Sequence, residues 1–147
     1  MYKHILLATD GSDLSQKAVD AALELAQMSS GEVLAIKVVP LYPQSYFEGA
    51  IVLSTEDISR VEQQWADEGQ HIVDAVQQRG IAMGIKVTPI TAKSDQVGET
   101  LLKTAQEHGC DVIVMASHGR RGINRLLLGS ETQHVLTHSH LPVLVLR

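Results

Sequence analysis

Ile5-Leu6-Leu7-Ala8-Thr9-Asp10-Gly11-Ser12 is the stretch that decides the fold. The apolar run from Ile5 to Thr9 is too short for a helix and suits a strand buried on both faces. Asp-Gly-Ser is turn chemistry, and Ser12 is a natural N-cap for a helix beginning beside it. Leu14, Ala18, Ala21, Ala22 and Leu25 then fall on one helical stripe, which should end near Gly31. A buried strand, a polar turn and an amphipathic helix together make the opening of a βαβ unit.

The alternation continues along the chain. Val33 to Val39 reads as a second strand, closed by Pro40, and residues 55–79 as a helix with Ile58, Val61, Trp65, Ile72 and Val76 as its stripe. Ile85 to Ile90 reads as a third strand. Pro89 lies inside it, and a proline without an N–H belongs at a sheet edge. Val97 to Glu107 forms a third helix, Val112 to Ala116 a fourth strand, Ser130 to His138 a fourth helix and Pro142 to Leu146 a last strand. Between the second strand and second helix, residues 40–54 make a long excursion with two prolines, two tyrosines and the one phenylalanine. Loops of that length are often functional.

Strands alternating with helices imply a parallel sheet with right-handed crossovers. The expected fold is α/β: a single doubly wound, Rossmann-like domain over residues 1–147, with helices on both faces of a five-stranded parallel sheet in the order 3-2-1-4-5. That order puts the Pro89 strand at an edge. It makes the first and fourth strands neighbours where the winding reverses, and ligands in such sheets sit there, outside the carboxyl ends of the strands. The residues at those two ends are Thr9-Asp10-Gly11-Ser12 and Ala116-Ser117-His118-Gly119.

Composition bounds the rest. At 147 residues the chain fits one domain with a real core. Its 44% apolar and 3% aromatic content means a core of aliphatic side chains. A net charge of −5 lacks the broad basic footprint of a non-specific nucleic-acid binder, so no nucleic-acid partner is expected. No stretch approaches the roughly 20 apolar residues of a membrane span, and the first apolar run is too short for a signal peptide. The one cysteine, Cys110, cannot form an internal disulfide, which points to the cytoplasm, and its place before a strand suits a small packing residue.

The segment richest in chemistry is Ala116-Ser-His-Gly-Arg-Arg-Gly-Ile-Asn-Arg-Leu-Leu-Leu-Gly-Ser-Glu-Thr-Gln133. Gly119 and Gly122 let a backbone approach a ligand or adopt positive φ. Gly129-Ser130 opens a helix, with Ser130 and Gln133 at capping-box spacing. A helix N-terminus preceded by glycine is a ready phosphate site, and Arg120, Arg121 and Arg125 bring positive charge beside it. A capped helix after a solvated basic loop is the plainer alternative. The chain carries neither a G-x-x-x-x-G-K-[ST] phosphate loop nor a G-x-G-x-x-G after its first strand. His134, His138 and His140 have i, i+4 and then i+2 spacing, as a metal pair on one helix face would. Favourable charge at a helix C-terminus accounts for His138 and His140 more simply, and no metal site is expected.

These motifs resemble the universal stress protein family, whose nucleotide-binding branch carries G-x2-G-x9-G-[ST]. The match here is Ala116-x2-Gly119-x9-Gly129-Ser130, with alanine at the first glycine. The resemblance runs the length of the chain, through ILLATDGS, KVVP, DVIVMASHG, RLLLGS and PVLVLR. It implies a ribose-side carboxylate at Asp10, an adenine-packing residue at Val38, and a phosphate cradle from Gly119, Gly129, Ser130 and the backbone of Glu131 and Thr132. His118 lies in the same loop. The candidate contact set for ATP or AMP is Ala8, Thr9, Asp10, Val38, Met115, Ala116, His118, Gly119, Arg120, Gly129, Ser130, Glu131 and Thr132. Glu131 brings negative charge to the phosphate side, which a bridging Mg²⁺ or Mn²⁺ would offset.

The expected activity is nucleotide-dependent regulation by a homodimer, through an unidentified regulatory partner protein, and not catalysis. No water-activating base occupies a defensible position. A slow ATPase and a nucleotide-free interaction module remain the alternatives. The homodimer is expected through Pro142–Leu146, a terminal strand apolar on both faces whose open edge would otherwise invite aggregation. Cover of that edge by residues 40–54 is the competing arrangement.

Overall fold

A computed structural model of the protein describes residues 1–43, 54–119 and 128–147. The elements are β1 (His4–Ala8), α1 (Asp13–Ser29), β2 (Glu32–Val39), α2 (Thr55–Ala82), β3 (Val87–Lys93), α3 (Val97–Glu107), β4 (Val112–Ala116), α4 (Ser130–His138) and β5 (Val143–Leu146). All strand pairs are parallel, in the order β3-β2-β1-β4-β5. The doubly wound sheet expected from the sequence is the one observed.

Because side chains alternate across a strand, the sheet feeds two cores. Ile5, Leu7, Val33, Ala35, Val112 and Val114 pack with α1 and α2 through Ala18, Val19, Ala22, Leu23, Val73 and Val76. Leu6, Leu34, Ile36, Val38, Ile113 and Met115 pack on the other face with α3 and α4 through Leu101, Ala105 and Val135. Cys110 belongs to this second core, and burial pushes its thiol up to about 11, with Asp111 and Glu32 adding to the shift. It is a packing residue in thiol form at neutral pH.

Several boundaries and faces depart from the sequence reading, each for a local reason. In α1 the buried stripe is Ser15, Ala18, Val19, Ala22, Leu23 and Ala26, while Leu14, Ala21 and Leu25 are half-buried at its margin. Ser30, not Gly31, takes the left-handed cap, at φ 53. Gly31 is needed for a different reason, since a Cβ there would lie 2.7 Å from the Tyr2 carbonyl oxygen. Strand β3 starts and ends later than its apolar run. Pro89 pairs in register with Ala35, and Thr91-Ala92-Lys93 continues the ladder alongside Lys37-Val38-Val39. Ile85 instead closes the turn after α2, donating its N–H to the Gly80 carbonyl. Strand β5 begins at Val143, after Pro142, whose carbonyl accepts the Ile113 N–H.

Helix α2 shows why counting apolar residues misplaced its face. Its buried residues are Gly69, Val73, Val76 and Gly80, whereas Ile58, Val61, Trp65 and Ile72 are only half-buried. A Cβ on Gly69 would fall 2.8 Å from Val39 Cγ2, and one on Gly80 would fall 2.2 Å from Val87 Cγ2. The two glycines let α2 settle directly onto β2 and β3. Among the described part of the excursion, Tyr42 stacks on Trp65 with ring centroids 6.1 Å apart. Residues 44–53 lie outside the described residues, and with them any test of their covering the β5 edge. Gly80→Val should therefore overpack the α2–β3 contact and lower unfolding stability by about 2 kcal/mol. A denaturation midpoint equal to that of the unaltered chain would contradict this packing.

Candidate functional site

The crevice forms where the winding reverses, at the carboxyl ends of β1 and β4. On the β1 side, Asp10-Gly11-Ser12 makes a tight turn into α1. The Ser12 N–H donates to Asp10 Oδ1 at 2.9 Å. Gly11 sits at φ 78, a conformation that glycine adopts without steric cost. Ser12 caps α1 as expected, its side chain accepting from the Ser15 N–H. Thr9 is buried at 6% exposure, and its hydroxyl donates to Ser15 Oγ at 3.2 Å. Its side chain thus braces the turn from inside and does not present itself to a ligand.

On the β4 side, the Ser117 N–H donates to the Leu146 carbonyl at 2.8 Å and extends the pairing with β5. Ser117 Oγ lies 3.1 Å from His118 Nδ1. The chain returns at Leu128, and the Gly129 N–H donates to the Ser117 carbonyl at 2.7 Å. Thr132, 2% exposed, donates its hydroxyl to the Ala116 carbonyl at 3.0 Å. These two bonds fix the first turn of α4 against the exit of β4.

The glycines owe their identity to close approach and not to positive φ. A Cβ on Gly119 would sit 2.6 Å from Asp10 Oδ2, so the Asp10 carboxylate lies directly over that backbone. A Cβ on Gly129 would meet His118 Cα at 3.2 Å and the Ser117 carbonyl oxygen at 3.3 Å. Gly129 is itself the N-cap of α4, at φ −62, so Ser130 is the first helical residue and the expected capping box with Gln133 does not form. Gln133 Nε2 donates to the Leu128 carbonyl instead. Among the described residues no side chain caps the start of α4. Its first-turn N–H groups at Ser130, Glu131 and Thr132 have no acceptor within the helix.

Ala8, Val38 and Met115 line the α3–α4 face of the sheet near the same end. Val38 is 7% exposed and Met115 5%. Asp10, Ala116, His118, Gly119, Gly129, Ser130, Glu131 and Thr132 are gathered around the strand ends and the start of α4. Arg120, with Arg121, Gly122 and Arg125, lies outside the described residues. This arrangement fits a nucleotide in its chemistry. A carboxylate suits a ribose hydroxyl, an uncapped helix start after glycine suits phosphate, and the apolar strand ends suit a base.

Glu131 is placed in a way that the sequence did not signal. Its Oε2 accepts the Gly98 N–H at 2.7 Å. Gly98 is in the first turn of α3, whose own N-cap, Gln96, makes no side-chain hydrogen bond. The carboxylate therefore caps the neighbouring helix. Gly98 has no room for a side chain, since a Cβ would fall 2.8 Å from His134 Cδ2. The rings of His134 and His138 stack at 4.3 Å, with His138 Nδ1 lying 2.9 Å from the His134 carbonyl oxygen. Among the described residues no group of three or more His, Cys, Asp or Glu is placed to hold a metal ion.

A second concavity, of about 700 Å³, opens at the opposite end of the sheet, lined by Lys3, His4, Glu32, Gly84 and Lys86 among others. Its one carboxylate is paired with two basic groups, and the Lys3 ammonium donates to the Ser29 carbonyl. Lys86 Nζ lies 2.8 Å from Glu32, and His4 Nδ1 lies 3.2 Å from the same carboxylate. The Lys86 ammonium holds the Glu32 carboxyl below its usual range against desolvation, with His4 adding to it. The crevice at the carboxyl ends is where uncapped helix-start donors and glycine-lined backbone coincide. Among the described residues no helix is long and apolar enough to cross a membrane.

Comparison with known proteins gives the same frame. The model of the universal stress protein family matches residues 1–147. Universal stress protein YxiE of Bacillus subtilis is 30% identical, with all of both chains covered. Universal stress protein MJ0531 of Methanocaldococcus jannaschii is 31% identical over 100% of this chain and 83% of that protein. Among solved structures, MJ0577 of the same archaeon is similar with a TM-score of 0.83 and 26% identity, covering 99% of this chain and 96% of that one. A universal stress protein in complex with cAMP is similar with a TM-score of 0.69 and 26% identity, covering 99% and 97%.

The Thr132 anchor is open to a direct test. Thr132→Val keeps the shape and removes the bond to Ala116. It should cost about 1–2 kcal/mol in denaturant unfolding. Unchanged stability would mean that α4 is not held to β4 through this hydroxyl.

Proposed function

The chain belongs to the universal stress protein family, and on that premise we propose that it binds an adenine nucleotide, ATP or AMP, in the crevice above β1 and β4 and acts as a dimeric regulator without appreciable turnover. The observation that carries the reading is the uncapped first turn of α4, packed against Ser117 and His118 with the Asp10–Gly119 contact beside it. Phosphate takes the N–H groups of Ser130, Glu131 and Thr132 and the Ser130 hydroxyl. Asp10 accepts from a ribose hydroxyl, and Val38, Met115 and Ala8 supply the apolar wall for the base. The cAMP complex of a relative with 26% identity supports the choice of an adenine ligand. Mg²⁺ or Mn²⁺, where present, arrives with the phosphates. The location in this reading is the cytoplasm, where Cys110 stays a thiol.

Titration calorimetry should give a dissociation constant near 1 μM for ATP or AMP, about −8 kcal/mol. Gly129→Val, which crowds the phosphate side, should weaken binding about tenfold or more, and phosphate release should stay well under about 1 per second. Undiminished affinity in the variant, or steady turnover above that rate, would overturn the reading.

The dimer in this reading uses β5. That strand lies at the sheet edge, and Leu144 is 41% exposed on it, with Leu136 of α4 42% exposed. Antiparallel pairing with a twofold mate satisfies the edge backbone and covers these side chains. Sedimentation should show a dimer at micromolar concentration, and Val145→Lys should convert it to monomer. A dimer that tolerates the lysine would exclude this interface. The nucleotide-bound dimer then presents its surface to a regulatory protein.

A further inference from the structure

We infer that Glu131 sets the charge preference of the nucleotide site, favouring the monophosphate over the free triphosphate; this rests on the adenine-nucleotide reading above. Glu131 is the second helical residue of α4, inside the turn whose N–H groups would hold phosphate. Its side chain is exposed, but one carboxylate oxygen is directed to α3 by a hydrogen bond. Oε2 is held at 2.7 Å by the Gly98 N–H in the first turn of α3, a helix that has no side-chain cap of its own. Gly98 in turn lies close against His134 of α4, with no room for a Cβ between them. One carboxylate thus sits between two helix N-termini.

That position has two consequences. The positive ends of both helices favour a negative charge there, so the carboxylate is a stable resident of the site. It also occupies part of the field that a phosphate chain would use, and its repulsion grows with the charge of the ligand. Two extra negative charges on the order of 8 Å away, in a water-like dielectric, alter relative affinity by about fivefold. Salt reduces the effect, because the Debye length is about 10 Å at 0.1 M. Binding of Mg²⁺ to the triphosphate removes the extra charge and with it the discrimination. Glu131 acts here as a specificity-determining residue through its charge, while its backbone N–H remains a phosphate donor.

The test compares the unaltered chain with Glu131→Gln, whose amide oxygen still accepts the Gly98 N–H. Glu24→Gln, an exposed position on α1, is the control for net charge. Dissociation constants for ATP and AMP are measured at low and high salt, with and without Mg²⁺. The proposal expects Glu131→Gln to shift the ATP-to-AMP affinity ratio about threefold to fivefold toward ATP at low salt, with no shift in Glu24→Gln. The shift should shrink with salt and vanish with Mg²⁺. A ratio unchanged by Glu131→Gln, an equal shift in Glu24→Gln, or a shift that ignores salt and Mg²⁺ would overturn it while leaving the nucleotide reading intact. Failure of the unaltered chain to bind either nucleotide would overturn both.

Discussion

A parallel sheet whose winding reverses at β1 cannot fill the space above β1 and β4 with its own connections. The connections from β1 to β2 and from β4 to β5 leave for opposite sides, so the carboxyl ends of the two adjacent strands are left open. The candidate site depends on that gap. Thr9 and Ser12 brace one bank from below, while Gly129 and Thr132 tie the start of α4 to the other. The Asp10 carboxylate is carried across to the Gly119 backbone. The two cores set the strand ends in place, and the candidate site consists of what the strands leave uncovered.

The sheet order and the nine described elements were legible in the sequence because their signals are local and strong. Buried β-branched runs, a Ser12 N-cap, and the Pro89 edge signal each have one dominant physical meaning. Positions where packing outranks periodicity were misread. The α2 face is built on Gly69 and Gly80, which count as nothing on an apolar scale but permit the closest approach to β2 and β3. The end of β3 carries threonine, alanine and lysine, so its pairing with β2 has no apolar signature. Gly119 and Gly129 stand out in the sequence as loop and helix-start glycines, yet their demand is for space beside Asp10 and Ser117, which no sequence pattern discloses. The same holds for Glu131. Its partner, Gly98, is 33 residues away, and only the packing of α3 on α4 brings them together.

Charge placement shows a consistent division between the two ends of the sheet. At the amino end, Asp111 accepts the Lys3 and His4 N–H groups, and Glu32 pairs with Lys86 and His4, so the polar groups are matched within the chain. At the carboxyl end, the helix-start donors of α4 have no side-chain cap among the described residues. Matched charges stabilise and orient strand ends, whereas uncommitted backbone donors are what a phosphate-bearing ligand needs. The 700 Å³ concavity at the amino end is roomy but chemically closed.

Whether the uncapped start of α4 is the ligand site is tested most directly by amide chemical-shift mapping during titration with AMP. The Gly119, Ser130, Glu131 and Thr132 amides should move together with Asp10 and Gly11, saturating along one curve, while Lys3, Glu32 and Lys86 stay still. Perturbation centred on the amino end of the sheet, or none at the start of α4 at saturating nucleotide, would contradict that assignment.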